Sequence, residues 1–138
     1  WKRIAMVFQA AMNALDPVYR VGEQIIEAIE RHEPEIKLSE ARERVEYLFG
    51  LVGIDGGMID RYPHEFSGGM RQRAMIAMAL ACMPSVIIAD EPTTALDVIV
   101  QDQVLRELRN VQRTLNMSMI YISHDVAVIA EVAEKIGV

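Results

Sequence analysis

The sequence contains little cysteine, little lysine and no long hydrophobic run, and each scarcity excludes a class of protein. The single cysteine, Cys82, allows no internal disulfide and is typical of a small core residue in a reducing compartment. Three scattered lysines and a net charge of −6 argue against a nucleic-acid partner, because phosphate contacts need clustered positive charge. The longest apolar stretch, near residues 75–83, is shorter than the roughly 20 residues that cross a bilayer. With no recognisable signal peptide, we expect a cytosolic protein, and a first residue other than Met indicates a piece of a longer chain.

The first part of the chain has the apolar spacing of amphipathic helices. Apolar residues recur every three to four positions over 21–32, and Pro34 follows, which predicts a helix that ends there. A second helix is predicted with Ser39 as its N-cap and Gly53 at its end. A third should run from about residue 70 to residue 83, stopped by Pro84.

The later part of the chain alternates between strand and helix patterns. Residues 86–89 are continuously apolar, which is typical of a strand buried on both faces. A helix over about 97–115, a strand over 118–122, a further helix and the start of a strand at 136–138 follow, and a short strand over 3–8 begins the chain. Such alternation predicts an α/β fold with a parallel sheet and right-handed crossovers. We therefore divide the chain into a strand and turn (1–17), a helical unit (18–84) and an alternating unit (85–138).

Two adjacent carboxylates, Asp90 and Glu91, follow the apolar strand. Open α/β sheets bind ligands at the carboxyl edge of their strands, so one carboxylate could hold a metal while the other orients a water molecule. Gln9 and His124 also follow predicted strands and should lie at the same edge. For the two carboxylates the alternative explanation is charge that merely marks the end of a strand. A structural role is the alternative for His124, and Gln9 alone is uninformative.

Ser67-Gly68-Gly69 directly precedes the third predicted helix. Glycines let a ligand approach the backbone closely, and free N–H groups at a helix N-terminus favour an anion. An ordinary N-cap followed by a flexible glycine pair explains the same residues. Asp97 is likewise predicted first of all to be an N-cap, for the helix that follows it.

Taken in order, these motifs resemble the ABC ATPase family. Gln9 matches the Q-loop glutamine and His124 the switch histidine, while the signature motif matches Phe66-Ser67-Gly68-Gly69-Met70-Arg71-Gln72-Arg73. Walker B with its catalytic glutamate matches 86–91, and the D-loop matches Ala95-Leu96-Asp97. The resemblance covers nearly the whole chain and implies a partial P-loop NTPase core with a parallel sheet plus an α-helical subdomain.

The resemblance also implies an ATPase whose cofactors are ATP and Mg²⁺. Glu91, His124 and Gln9 would be the catalytic residues, and Asp90 with Gln9 would hold Mg²⁺, partly through water. The family works as a head-to-tail dimer of ATPase subunits. The ATP of the opposing subunit would be contacted by Ser67, Gly68, Gly69, Gln72 and Asp97.

Two segments are similar to the ATPases of dipeptide, oligopeptide and nickel importers. They are Met70-Arg71-Gln72-Arg73 and Asn13-Ala14-Leu15-Asp16-Pro17, the latter with Asp16 where Asn is usual. The implied partners are a second ATPase subunit, transmembrane permease subunits and, indirectly, an extracytoplasmic solute-binding protein. The implied location is the cytoplasmic face of the cell membrane. The signature helix and the segment after the Q-loop therefore point to peptide or nickel import.

The P-loop of the family, Gly-x-x-x-x-Gly-Lys followed by Ser or Thr, is missing, because no lysine in the sequence follows a glycine. We therefore expect the full-length protein to bind and hydrolyse ATP and these 138 residues alone to bind none. A non-transport ABC ATPase of DNA repair, chromosome maintenance or translation is an alternative. Chromosome and repair members carry long coiled coils between the Q-loop and the signature, whereas the insertion here is short. A non-enzymatic interaction module is the other alternative for the isolated chain.

Overall fold

A computed structural model describes residues 3–9, 14–94 and 96–137 of the chain. Its sheet has three strands in the order β1 (Ile4–Val7), β2 (Val86–Asp90) and β3 (Ser118–Ile122). Both pairings are parallel, with Ile4 opposite Val86 and Val86 opposite Ser118. The predicted α/β fold with a parallel sheet is confirmed.

The central strand β2 is buried more completely on one face than on the other. Ile87 and Ala89 are fully buried in the common hydrophobic core, whereas Val86 and Ile88 are only partly buried. The prediction that this strand is buried on both faces is therefore confirmed for the face of Ile87 and Ala89 only. The alternation follows from the period of two in a strand, which sends neighbouring side chains to opposite faces.

The described residues also form five α-helices: α1 (Val21–His32), α2 (Leu38–Leu51), α3 (Gly68–Leu80), α4 (Val98–Leu115) and α5 (Val126–Val132). Two 3₁₀ turns, Gly56–Asp60 and Pro63–Glu65, connect α2 to α3. The bounds of α1 and β3 agree with the sequence-based expectation. Within the described ranges, no helix has the length and apolar character that crossing a membrane requires.

Three predictions of local structure were wrong: the N-cap of α2, the end of α3 and the start of a strand at 136–138. Lys37, not Ser39, is the N-cap of α2, because Lys37 is extended and its carbonyl accepts the N–H of Ala41, so Ser39 lies inside the first turn. Helix α3 ends at Leu80 rather than near residue 83, because the N–H groups of Ala81 and Met83 donate to carbonyls three residues back instead of four. Residues 136 and 137 form no strand, and Val138 lies outside the described residues.

Helices α3 and α4 are joined by two specific contacts. A Cβ atom added to Gly69 would lie 2.5 Å from Cγ1 of Val100, so only glycine allows this approach. Farther along, the Arg73 guanidinium donates to Oε1 of Glu107 at 3.0 Å and to the carbonyl of Gly53 at 2.9 Å. These contacts fix the start of α3, which carries the glycine pair, against the helix that follows the acidic strand.

Candidate active site

Glu91 occupies a constrained turn at the carboxyl end of β2. Its φ of 45° lies in the left-handed region, which non-glycine residues rarely adopt. Its N–H donates to the carbonyl of Ile122, the last residue of β3, at 2.9 Å, and its own carbonyl accepts the N–H of Thr94 at 3.1 Å. Such conformations persist where the surroundings hold them and are common at active sites. The turn places the Glu91 carboxylate within reach of side chains that follow β1 and β3.

Three side chains contact the carboxylate of Glu91. Nδ1 of His124 lies 2.6 Å from Oε1, the amide of Gln9 donates to Oε2 at 3.2 Å, and the hydroxyl of Thr94 donates to Oε2 at 2.9 Å. Gln9 follows β1, Glu91 follows β2 and His124 follows β3, so the parallel sheet itself brings them together. The three residues that the sequence predicted to be catalytic form one cluster. Together with Thr94, these residues (Gln9, Glu91 and His124) are called the Glu91 cluster below.

Thr94 was missed by sequence reasoning. A threonine three residues after a glutamate is an ordinary turn residue, and no spacing pattern distinguishes it. Its contact with Glu91 depends on the backbone conformation of the turn, which the sequence does not specify by itself.

The His124–Glu91 contact favours the charged form of both side chains. The hydrogen bond with His124, and then that with Thr94, lowers the pKa of Glu91 below its usual value. The hydrogen bond with Glu91 raises the pKa of His124 above its usual value. The side chain of His124 is 78% exposed and that of Glu91 21%. The contact therefore favours the charged forms of both partners at a solvent-accessible position on the sheet edge.

The substitution Glu91→Gln should lower the pKa of His124 towards its ordinary value, because the partner charge is removed. The pair is fully charged above the ordinary pKa of glutamate and below that of histidine. The attraction between the two charges is lost as the pH rises through the raised His124 pKa, or as it falls through the lowered Glu91 pKa. An NMR titration of the His124 ring in the 138-residue chain measures this. The control is Glu30→Gln on the exposed side of α1, and an unchanged His124 pKa in Glu91→Gln would contradict the contact.

Asp90 is the last residue of β2 and directly precedes Glu91. In the described part of the chain, no group of three or more His, Cys, Asp or Glu side chains is arranged to hold a metal ion. Mg²⁺ binds through one or two carboxylates together with waters and substrate phosphates, and it prefers oxygen ligands. The carboxylate of Asp90 and the amide oxygen of Gln9 fit that donor set for a Mg²⁺ ion that arrives with a nucleotide.

Ser67 caps the N-terminus of α3. Its hydroxyl accepts the N–H of Met70 at 3.2 Å, and the residue is exposed. The prediction of an N-cap is confirmed, and the exposed helix N-terminus also has the electrostatics of an anion site. Among the described residues, no hydrogen bond joins Ser67 to Gln9, Glu91 or His124. The structure therefore forms two separate groups of predicted site residues.

Two further predicted site residues, Gln72 and Asp97, have structural roles: Gln72 is buried and Asp97 caps a helix. Gln72 is only 3% exposed, because it lies on the face of α3 that packs inward, and this burial argues against its predicted contact with a nucleotide. Asp97 caps α4, since its carboxylate accepts the N–H groups of Ile99 at 3.1 Å and Val100 at 3.0 Å. Two residues used in the motif comparison, Asn13 and Ala95, lie outside the described residues.

Comparison with known proteins agrees with the motifs. A family model described as "ABC transporter" matches residues 1–94. The glutathione import ATP-binding protein GsiA of Pectobacterium atrosepticum is 52% identical over 135 residues, which are 96% of this chain and 22% of the relative. The dipeptide transport ATP-binding protein DppD of Bacillus subtilis is 50% identical over 98% of this chain and 41% of the relative. The oligopeptide transport ATP-binding protein OppD of the same organism is 48% identical over 99% of this chain and 38% of the relative.

A solved structure also resembles the chain. It is the dimeric post-hydrolysis state of the ATP-binding cassette MJ0796 bound to ADP and Pi, with a TM-score of 0.74 and 28% identity. The match covers 91% of this chain and 54% of that one. The predicted resemblance to ATPases of peptide importers is confirmed, and the chain spans less than half the length of the curated relatives named above.

Proposed function

The chain belongs to the ABC transporter family, and we propose that it is part of an ATP-hydrolysing subunit that energises the import of peptides. The observation that carries this proposal is the Glu91 cluster, in which residues from the ends of three parallel strands surround one carboxylate. The cluster lies at the sheet edge where α/β proteins bind their ligands.

Each member of the cluster has a chemical task in hydrolysis. Glu91, kept as a carboxylate by its lowered pKa, would orient and polarise the attacking water. His124, an exposed side chain at the same sheet edge, would donate a ring N–H to the γ-phosphate of ATP. Gln9 would contact both the metal and the water. Mg²⁺, held by Asp90 and Gln9 and partly by water, would neutralise the charge of the phosphates.

The start of α3 supports a second role, towards a partner subunit. Ser67, Gly68 and Gly69 form a helix N-terminus with an exposed serine, and such a terminus receives negative charge. We propose that it contacts ATP held by a second, head-to-tail subunit, and the dimeric state of the MJ0796 structure supports the pairing of two such subunits. Asp97, exposed at the start of α4, would lie in the same interface.

The remaining partners follow from the relatives. Three of them are named as import or transport ATP-binding proteins for glutathione, dipeptides or oligopeptides. This favours a peptide over nickel as the transported solute, and an importer over an ABC ATPase of DNA repair or translation. The helical unit, 18–84, would contact the transmembrane permease on the cytoplasmic face of the membrane, and the solute-binding protein would act only indirectly.

The 138-residue chain should show no saturable ATP binding at micromolar nucleotide, because its sequence has no Gly-Lys pair to cradle the phosphates. Isothermal titration calorimetry with and without Mg²⁺ measures this. The full-length protein, titrated in the same buffer, should bind ATP and serves as the positive control. A tight, Mg²⁺-dependent isotherm from the 138-residue chain would show that the cluster and the helix terminus suffice for binding.

A further inference from the structure

We propose that Thr94 is a positioning residue for Glu91 and that its hydroxyl keeps the carboxylate aimed at the water during hydrolysis. The inference rests on the proposed function. Its starting observation is the hydrogen bond from Oγ1 of Thr94 to Oε2 of Glu91 at 2.9 Å.

Thr94 differs from the other two neighbours of the carboxylate in its attachment. Gln9 and His124 come from other strands and are both exposed. In the proposed mechanism Gln9 contacts the metal and the water, and His124 contacts the γ-phosphate, so neither side chain serves only to hold Glu91. Thr94 has no such task, so it is the contact that remains when ATP is bound.

The turn that carries Thr94 is fixed on both sides. The N–H of Thr94 donates to the carbonyl of Glu91 at 3.1 Å, so the hydroxyl moves with the residue that it orients. The preceding Thr93 is 7% exposed, and its hydroxyl lies 3.5 Å from that of Tyr121 on β3. The N–H of Glu91 is bonded to Ile122 at the end of the same strand. Thr94 is therefore held in place by the sheet rather than by the ligand.

The geometry also leaves the other oxygen of Glu91 available. Thr94 donates to Oε2, whereas His124 contacts Oε1. When His124 turns to the phosphate, Oε1 becomes free to accept a hydrogen bond from water while Oε2 stays anchored. A carboxylate anchored through one oxygen keeps its orientation, and small losses of alignment are costly in catalysis.

The test compares Thr94→Val, which keeps the shape and removes the hydroxyl, with Thr94→Ser, which keeps the hydroxyl. In the full-length protein, Thr94→Val should lower kcat about 10- to 100-fold and change KM for ATP less than about 2-fold, since Thr94 acts on orientation rather than on binding. Thr94→Ser should restore kcat to within about 3-fold of the original. Thr114→Val, on the exposed side of α4, is the matched control and should leave both constants unchanged.

Crystal structures of the full-length variants with Mg²⁺ and a non-hydrolysable ATP analogue give a readout that does not depend on turnover, in the state in which His124 contacts the phosphate instead of Glu91. The Glu91 carboxylate should leave its position in Thr94→Val and keep it in Thr94→Ser. An unchanged carboxylate in Thr94→Val, or equal loss of kcat in both variants, would overturn the positioning role. A displaced carboxylate in a protein that hydrolyses no ATP, even unsubstituted, would uphold the contact and reject the proposed function instead.

Discussion

The substitution Glu91→Gln should reduce ATP hydrolysis by the full-length protein about 1,000-fold, within the range that a positioned general base supplies. Glutamine has the shape of glutamate but carries no charge and cannot accept a proton from water. ATP binding should survive, because it depends on phosphate contacts made elsewhere, including the proposed contacts of Ser67 and its glycines. Phosphate release measures hydrolysis, and size-exclusion chromatography with ATP and Mg²⁺ measures the dimer.

The expected result is thus a variant that dimerises with ATP and does not turn over. Glu30→Gln, an exposed glutamate on α1, should hydrolyse ATP normally and controls for the change of charge. Normal hydrolysis by Glu91→Gln would remove Glu91 from the catalytic role. Loss of the ATP-dependent dimer as well would assign Glu91 to binding or folding instead.

Arg73→Met should destabilise the 138-residue chain by about 3 kcal/mol, since breaking a buried ion pair leaves the other charge buried without its opposite charge. The side chains of Arg73 and Glu107 are only 13% and 18% exposed. Burial is the largest cause that raises the pKa of Glu107, and the charge of Arg73 opposes it. Without Arg73, the carboxylate of Glu107 keeps, among the described residues, only the hydrogen bond from the Gln103 amide at 3.2 Å, and the carbonyl of Gly53 loses the guanidinium as a donor. Urea denaturation at pH 7 measures the loss.

Arg106→Met supplies the matched control for this prediction. Arg106 pairs with Asp102 on the same helix, but these side chains are 74% and 43% exposed, so the loss should stay below about 1 kcal/mol. The effect of Arg73→Met should also shrink as the pH falls. The pKa of Glu107 is raised in the folded state, so its buried charge lowers the free energy of unfolding at a pH where the unfolded carboxyl is ionised. As the pH falls and Glu107 is protonated, this destabilisation disappears. Equal losses for both arginines, or no dependence on pH, would contradict the assignment.

Sequence patterns predicted the features that depend on periodicity and chain direction. Helix α1 follows from its apolar spacing, and the meeting of Gln9, Glu91 and His124 follows from the parallel order of three strands. Each of these residues lies one or two positions after its strand, so the carboxyl edge of the sheet brings them together with no further information.

The features that the sequence did not predict depend on backbone detail and on packing. The contact of Thr94 requires the left-handed conformation of Glu91, and the Arg73–Glu107 pair joins residues 34 positions apart on two helices. The burial of Gln72 depends on which face of α3 packs inward. Helix α3 has apolar or small residues on most sides, so its sequence does not distinguish the buried face clearly.

The central claim is that the Glu91 cluster acts on the terminal phosphate of ATP, and a crystal structure of the full-length Glu91→Gln variant with ATP and Mg²⁺ tests it most directly. We expect His124 within hydrogen-bonding distance of a γ-phosphate oxygen, and a water molecule between that phosphate and residue 91. A bound nucleotide whose γ-phosphate contacts neither His124 nor such a water, at a site away from the ends of β1, β2 and β3, would contradict the account.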